Sequence, residues 1–404
     1  QFIIGSSGIG KTHYACEQII RESMENPQHL YYIIVPEQFT MQTQKNVVEM
    51  HPGKGILNID VLSFQRLAYR IFEETGGARE VLLDDTGKSM VLQKLVQQHR
   101  KNLPYLGSQM NKPGYLDEVK SLISEFMQYD IREEELQDML GKTGEDSLLH
   151  MKMQDVGVLY QAFLQYLEGH YMTGEGVMDA LKKAIPFSDK LKKSVLLLDG
   201  FTGFTPVQMN VIRELLNVCD KVLVTVTMDA GENPLQLGKP HQLFYMSRKM
   251  IHTLSGLTSN LDDPVLLKDE RKGRFGNSTS LDFLEKHLFR YRRSAYEKKQ
   301  EEICIFAAES PVKELEETAR RIRRLVREKN LKYGEIAVIT GNLEAYKSIA
   351  SQVFEESRIP YFLDEKHTIL MNPFIEYIRA ALEMVTKGFS YESEIGRASC
   401  RERV

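Results

Sequence analysis

The chain has 404 residues, 42% of them hydrophobic and 27% charged, with a formal net charge of −4 at pH 7. That length supports two or three folded cores and the balance excludes a disordered or fibrous chain, while the slight acidity excludes a global attraction to polyanions; any nucleic-acid contact has to come from a local patch. Cys16, Cys219, Cys304 and Cys400 form no C-x-x-C pair, the ten histidines show no zinc spacing, and no apolar run is long enough for a membrane span. The expectation is a cytoplasmic protein with reduced thiols, no membrane segment and no metal beyond one carried by a nucleotide.

The first element is a short apolar strand at 2–4, followed by Gly5-Ser-Ser-Gly8-Ile-Gly10-Lys11-Thr12. This is the spacing G-x-x-x-x-G-K-[ST]. Its glycines let successive backbone N–H groups face phosphate oxygens, Lys11 supplies a point charge, and the Thr12 hydroxyl reaches Mg²⁺. The motif therefore assigns ATP and Mg²⁺ as cofactors. A ligand-free glycine turn is the bland alternative, and the strand before it and the amphipathic stretch 13–24 after it argue against that.

Further strands at 30–35 and 56–61, each followed by a helix-period segment, predict parallel α/β architecture. From 105 to 189 the strand signals vanish, and the three- and four-residue apolar steps within 115–129 and 153–167 predict an all-helical insertion. Strands resume at 195–198 and 222–226, so the insertion splits one α/β domain. Asp199 ends the first of these and is assigned to the shell of nucleotide-borne Mg²⁺; an Asp-Gly turn is its alternative reading. A hydrolytic site also needs a carboxylate to position and deprotonate water, yet Gly200 and Phe201 follow. Glu37 and Asp60 are the substitutes available. The expectation is a site that binds ATP better than it hydrolyses it.

Residues 256–299 read as a linker plus a solvated helix. A second α/β unit then begins, with strands at 303–307, 336–340 and 361–363, helices at 312–329 and 343–356, and another starting at Pro373. The arginines of 320–327 follow Glu314, Glu316 and Glu317 in favourable dipole order, which predicts a solvated face. The stretch 287–293 interleaves aromatics with cations and is the better candidate for phosphate contact. Residues 394–404 break the pattern and read like an in-frame translation of a sequencing adapter, so the second unit is expected to be cut short.

Val35-Pro-Glu-Gln38-Phe-Thr40, Val61-Leu-Ser-Phe64-Gln-Arg66-Leu-Ala-Tyr69 and Leu198-Asp-Gly-Phe201-Thr-Gly-Phe-Thr-Pro206, together with 359–364 and 372–375, resemble the AddB family. This family provides the B subunit of the bacterial AddAB helicase-nuclease, which processes double-strand breaks for recombination. The resemblance runs from the glycine-rich turn to about Ser393. It implies a superfamily 1 helicase-like P-loop domain 1A (1–104 and 190–255), an all-helical domain 1B (105–189), a linker (256–299), the start of a RecA-like domain 2A (300–393) and a non-matching tail (394–404).

The resemblance also implies a heterodimer whose A subunit is the motor, binding of single-stranded DNA and duplex ends, and reading of the hotspot Chi through Thr40, Phe64, Arg66, Tyr69 and Phe201. The chemistry fits independently: Phe64, Tyr69 and Phe201 offer stacking faces, and Gln38, Thr40 and Arg66 offer polar groups. Core packing is the competing reading for Phe64 and Phe201. Tyr69 replaces the family's tryptophan, and Gly341 stands where active helicases carry arginine. The family's nuclease domain and iron-sulfur cysteines fall beyond Val404, so neither is assigned here. An active superfamily 1 helicase is the alternative function; a kinase or GTPase-like module lacks the guanine-reading N-K-x-D.

Overall fold

The computed structural model describes residues 1–77, 80–110, 114–144, 147–229, 231–268, 273–290, 294–363 and 372–387. Its strands are β1 (Phe2–Gly5), β2 (Leu30–Ile34), β3 (Ile59–Leu62), β4 (Val81–Leu82), β5 (Tyr171–Met172), β6 (Ser194–Leu198), β7 (Lys221–Thr227) and β8 (Val265–Leu266). Six of them form one sheet in the order β3-β2-β6-β7-β1-β8, with every pairing parallel. Parallel strands are covered on both faces, which explains continuous apolar runs such as those of β2 and β6.

Alternate side chains of each strand enter opposite cores. Ile4, Tyr32, Ile34, Leu196, Leu198 and Val224 pack with Leu67, Leu181 and Leu215 of three covering helices. Ile3, Ile33, Leu197 and Leu223 face the other way, against Ile19 and Val47. Local signals start and stop the covering helices. Ser63 accepts the Arg66 N–H to open Phe64–Thr75, which left-handed Gly76 ends, while Thr205 and Gln208 form a capping box ahead of Pro206–Val218. From β1 the chain moves out to β2 and β3, returns through β6 and β7, and places β8 on the far side of β1. Such a switch in direction opens a crevice at the carboxyl ends of the strands.

Helices Asp85–His99, Tyr115–Gln128, Glu133–Gly141 and Leu148–Leu167 build a separate core around Leu92, Phe126, Leu159 and Phe163. Fully buried Asp155 fixes its connecting loop by accepting the N–H groups of Tyr105 and Leu106 at 2.9 and 2.7 Å. Three expectations differ here. The helical body begins by Asp85 rather than at 105. The two-residue pairing of β4 with β5 lies partly inside a stretch expected to be all-helical. Helix Gly174–Ala184 sends Val177 and Leu181 into the sheet core rather than the helical one.

The stretch 256–299, expected to be a linker plus a solvated helix, does carry a helix, Thr279–His287, but it also holds a strand: β8 pairs with β1 in the register Ile3↔Val265 and Ile4↔Leu266. Two apolar strand residues inside a polar stretch leave almost no periodic signal, which is why the sequence does not reveal β8.

The chain divides into two compact units between Ile303 and Cys304. In the second, helices Pro311–Glu328 and Leu343–Glu356 pack through Leu315, Ala319, Ile322, Val353 and Phe354. Arg320 and Arg321 pair with Glu317 on the outer side. The strands expected at 303–307, 336–340 and 361–363 form no ladder among the described residues, and Ile305, Ile339 and Phe362 are about nine-tenths exposed. β-propensity measures fit to a half-buried pleated surface, and these segments find no partner strand to create one. Among the described residues no helix is long and apolar enough to cross a membrane.

Candidate functional site

At the carboxyl edge of the sheet, β1 runs through the glycine-rich turn into helix Lys11–Glu25. Gly8 and Gly10 hold φ of +77° and +98°, the left-handed region in which a side chain is strained. Gly5 ends the strand so tightly that a Cβ there would stand 2.7 Å from Ile9 Cγ2. Lys11 Nζ donates to the Ser6 carbonyl at 2.8 Å, folding the ammonium back over the turn. Burial holds the Lys11 pKa below the usual lysine value, against the opposing pull of Asp199 and Glu285.

Asp199 is positioned from beneath. Its backbone N–H donates to the Ile34 carbonyl, continuing the β2–β6 pairing, and its side chain is buried. Thr12 Oγ1 lies 3.0 Å from both carboxylate oxygens, and Thr225 Oγ1 donates to Oδ1 at 2.6 Å. Thr225 lies on β7, between β1 and β6 in the sheet, so it braces the aspartate opposite the turn. A hydroxyl and a carboxylate in direct contact are hard oxygen donors of the kind Mg²⁺ takes together with phosphate oxygens. Among the described residues no cluster of three or more His, Cys, Asp or Glu side chains forms a self-sufficient metal site.

Gly200 follows at φ +78°. A glutamate there would have to adopt the left-handed conformation, at a cost of about 1–2 kcal/mol. The substitutes for the missing carboxylate are engaged elsewhere, Glu37 with Arg66 at 3.3 Å and Asp60 with Arg70 at 2.8 Å.

The residues expected to contact DNA gather at the β2, β3 and β6 ends of the same edge. Phe201 stacks at a tilt on Phe204, with centroids 4.9 Å apart, and both rings approach Phe64. Phe64 is only 5% exposed and belongs to the sheet core; Phe201 is half-buried above it. Thr40 is also buried, donating to the Glu37 carbonyl at 3.0 Å. Gln38 and Arg66 are exposed, and Tyr69 is 40% exposed with its ring edge-on to Phe72. A cleft of about 400 Å³ lined by Pro36, Glu37, Phe64, Gln128, Glu175 and Phe201 opens here.

Sequence reasoning did not single out Thr225, Phe204 or Glu285, whose Oε1 accepts the Ser7 N–H at 3.2 Å. A β7 threonine and a glutamate on a polar helix carry no motif; Phe204 was legible as one more ring in an aromatic run. The phosphate-contact candidate 287–293 lies partly outside the described residues. Its Arg290 is committed to Asp229, at 2.8 Å. The tail 394–404 and Cys400 lie outside them entirely.

These features define an α/β protein with a parallel six-stranded sheet, a glycine-rich strand-to-helix turn at its carboxyl edge and a helical body beside it. The family model described as ADDB, N-terminal, matches residues 2–285, and the chain belongs to that family. It is 42% identical over 401 residues to the B subunit of the ATP-dependent helicase/deoxyribonuclease of Lachnoclostridium phytofermentans, covering 97% of this chain and 35% of that protein. The B subunits of the same enzyme from Alkaliphilus metalliredigens and Clostridium novyi are 32% and 31% identical, each over 97% of this chain and 34% and 35% of their own length. The chain thus spans about a third of the length of these curated relatives.

Proposed function

We propose that the chain is the ATP-binding, single-strand-reading front of a helicase-nuclease B subunit, acting beside a motor A subunit on DNA ends, and that its helicase-like P-loop domain is not itself a motor. The observation that carries this is the contrast within one edge of the sheet. Lys11, Thr12 and Asp199 converge, while left-handed Gly200 leaves the place after Asp199 without a carboxylate. Gly5, Gly8, Gly10 and Lys11 would hold the phosphates, with Thr12 and Asp199 on Mg²⁺, which supplies charge neutralisation between them. Glu37 and Asp60 are held by arginines, which supports weak hydrolysis further.

For DNA, the exposed Gln38, Arg66 and Tyr69 and the half-buried Phe201 form the contact surface, and buried Phe64 and Thr40 act as its backing. Phe201 resting on Phe204 and Phe64 presents a supported ring, and a base stacked on such a ring contributes about 1–3 kcal/mol. Chi recognition is assigned to this surface.

The test uses the 404-residue chain. Lys11→Ala should abolish ATP binding, and the unaltered chain should release phosphate slowly even with DNA; rapid turnover that disappears with Lys11→Ala would instead identify an active helicase. Phe201→Ala or Arg66→Ala should lower preference for a Chi-bearing strand over a scrambled one while leaving salt-sensitive affinity largely intact. Equal loss on both strands would reduce these residues to backbone contacts.

A further inference from the structure

Arg274 and Phe275 lie against the glycine-rich turn. The Arg274 N–H donates to the Gly8 carbonyl at 2.8 Å. Phe275 lies so near that a Cβ on Gly8 would stand 2.9 Å from its Cε2. Ser278 then caps helix Thr279–His287, whose last turn carries Glu285 to the Ser7 amide. The helix is anchored at both ends: Ser280 donates to Glu302 at 2.8 Å, and Arg290 donates from Nε and Nη2 to Asp229 at 3.1 and 2.9 Å, with Phe244 beneath its guanidinium. The placement of Glu285 is therefore built by several independent contacts.

The turn attracts one kind of group. The Ser7 N–H lies in the turn ahead of the helix that begins at Lys11, and the backbone N–H donors of such a turn, with the Lys11 ammonium near them, favour an oxyanion; a carboxylate answers that description as a terminal phosphate does. Two anions cannot share the same donors without strong repulsion. A cleft of about 450 Å³, lined by Ser6, Asp229, Lys268, Glu285 and Lys286, opens beside the contact, so a displaced carboxylate has room to move.

We infer that Glu285 is a built-in competitor for the phosphate position, a carboxylate that must give up the Ser7 amide before a nucleoside triphosphate can take it. The inference rests on the ATP-binding reading above and adds what sets the affinity of that site. If roughly nine molecules in ten hold the seat, apparent nucleotide affinity is reduced about tenfold.

A titration of the 404-residue chain with a fluorescent, non-hydrolysable ATP analogue and magnesium tests this in wild type, Glu285→Ala, Glu285→Gln, Arg290→Ala and Lys11→Ala. Glu285→Ala should bind about tenfold more tightly, Glu285→Gln should fall between, and Arg290→Ala, which frees one end of the helix, should move in the same direction. Unchanged or weaker binding by the Glu285 variants, with wild-type binding dependent on Lys11, overturns the competitor and leaves the ATP reading standing. Absence of binding by wild type and by every Glu285 variant overturns both. Circular-dichroism melting checks folding, and Glu285→Gln, which keeps the shape of the side chain, decides the case should Glu285→Ala melt.

Discussion

Lys88 on helix Asp85–His99 reaches Glu175 on helix Gly174–Ala184, joining the helical body to the sheet layer at the rim of the aromatic cleft. Nζ lies 3.0 Å from Oε2 and 3.1 Å from Ser124 Oγ, with the two ionic side chains only 8% and 11% exposed. At that separation and an effective dielectric of about 20, the attraction is about 5 kcal/mol, and desolvation of two ions offsets most of it. Removing one partner is a different matter, because the other charge stays buried. Lys88→Met keeps the apolar stem and deletes the charge, and should cost about 3 kcal/mol. Lys88→Met with Glu175→Leu should return to within about 1 kcal/mol of wild type. The chain has no tryptophan, so urea unfolding followed by far-UV circular dichroism is the suitable assay. Burial raises the Glu175 pKa, but hydrogen bonds from backbone N–H, Lys88 and Thr173 more than reverse this and leave it below the ordinary value. The unfolded chain then binds a proton at a pH where the folded chain does not. The contribution is complete above the ordinary glutamate range and is lost as pH falls through the folded value. A Lys88→Met variant within about 0.5 kcal/mol of wild type, or a double variant no better than either single, would refute this reasoning.

Gly10→Ala meets open space and should cost only the left-handed backbone penalty of about 1–2 kcal/mol, whereas Gly8→Ala adds a clash with Phe275 and should melt at a clearly lower temperature; equal melting shifts would argue against that contact. Burial pushes the Cys16 thiol up to about 12 and the Cys219 thiol up to about 11, while Cys304 is exposed. Iodoacetamide near neutral pH should therefore modify Cys304 before Cys16 and Cys219, which should react only as the chain unfolds, as peptide mass spectrometry of these three would read. Equal labelling of the three would contradict the burial of Cys16.

The strands that were legible are those with continuous apolar runs: β1, β2, β6 and β7 each lie within a residue or so of where the pattern puts them. β3 starts later than its pattern, because the ladder begins where Ile59 meets Tyr31 and leaves Leu57 fully exposed. The glycine-rich turn was legible because its left-handed positions, Gly8 and Gly10, need glycine at fixed spacing between strand and helix. Thr225 was not, since alternation reveals a strand but not which neighbour a threonine faces. Phe64 shows a related limit: an aromatic helix start looks the same whether its ring meets solvent or backs Phe201. Glu285 was hidden because a carboxylate on a polar helix reads as solvated until the fold brings Ser7 beside it. The segments 303–307 and 336–340 fail in the opposite sense, carrying β-forming side chains without a partner to pair with.

The register of β1 has a consequence for how the protein is made. Phe2 pairs with Val224 and Ile3 with both Thr225 and Val265, so this strand is flanked on each side by residues synthesised long after it. A ribosome adding about 5–20 residues per second needs roughly ten to forty seconds to travel from Phe2 to Val224. Throughout that interval Ile3 and Ile4, fully buried in the finished sheet, have no ladder to join. β2, β3 and β6 can pair before β7 and β1 close the centre, so the glycine-rich turn gains its shape only at a late step. A nascent chain halted before β7 would present an apolar, unpaired strand to chaperones at the ribosome exit, with Asp199 still lacking its Thr225 partner.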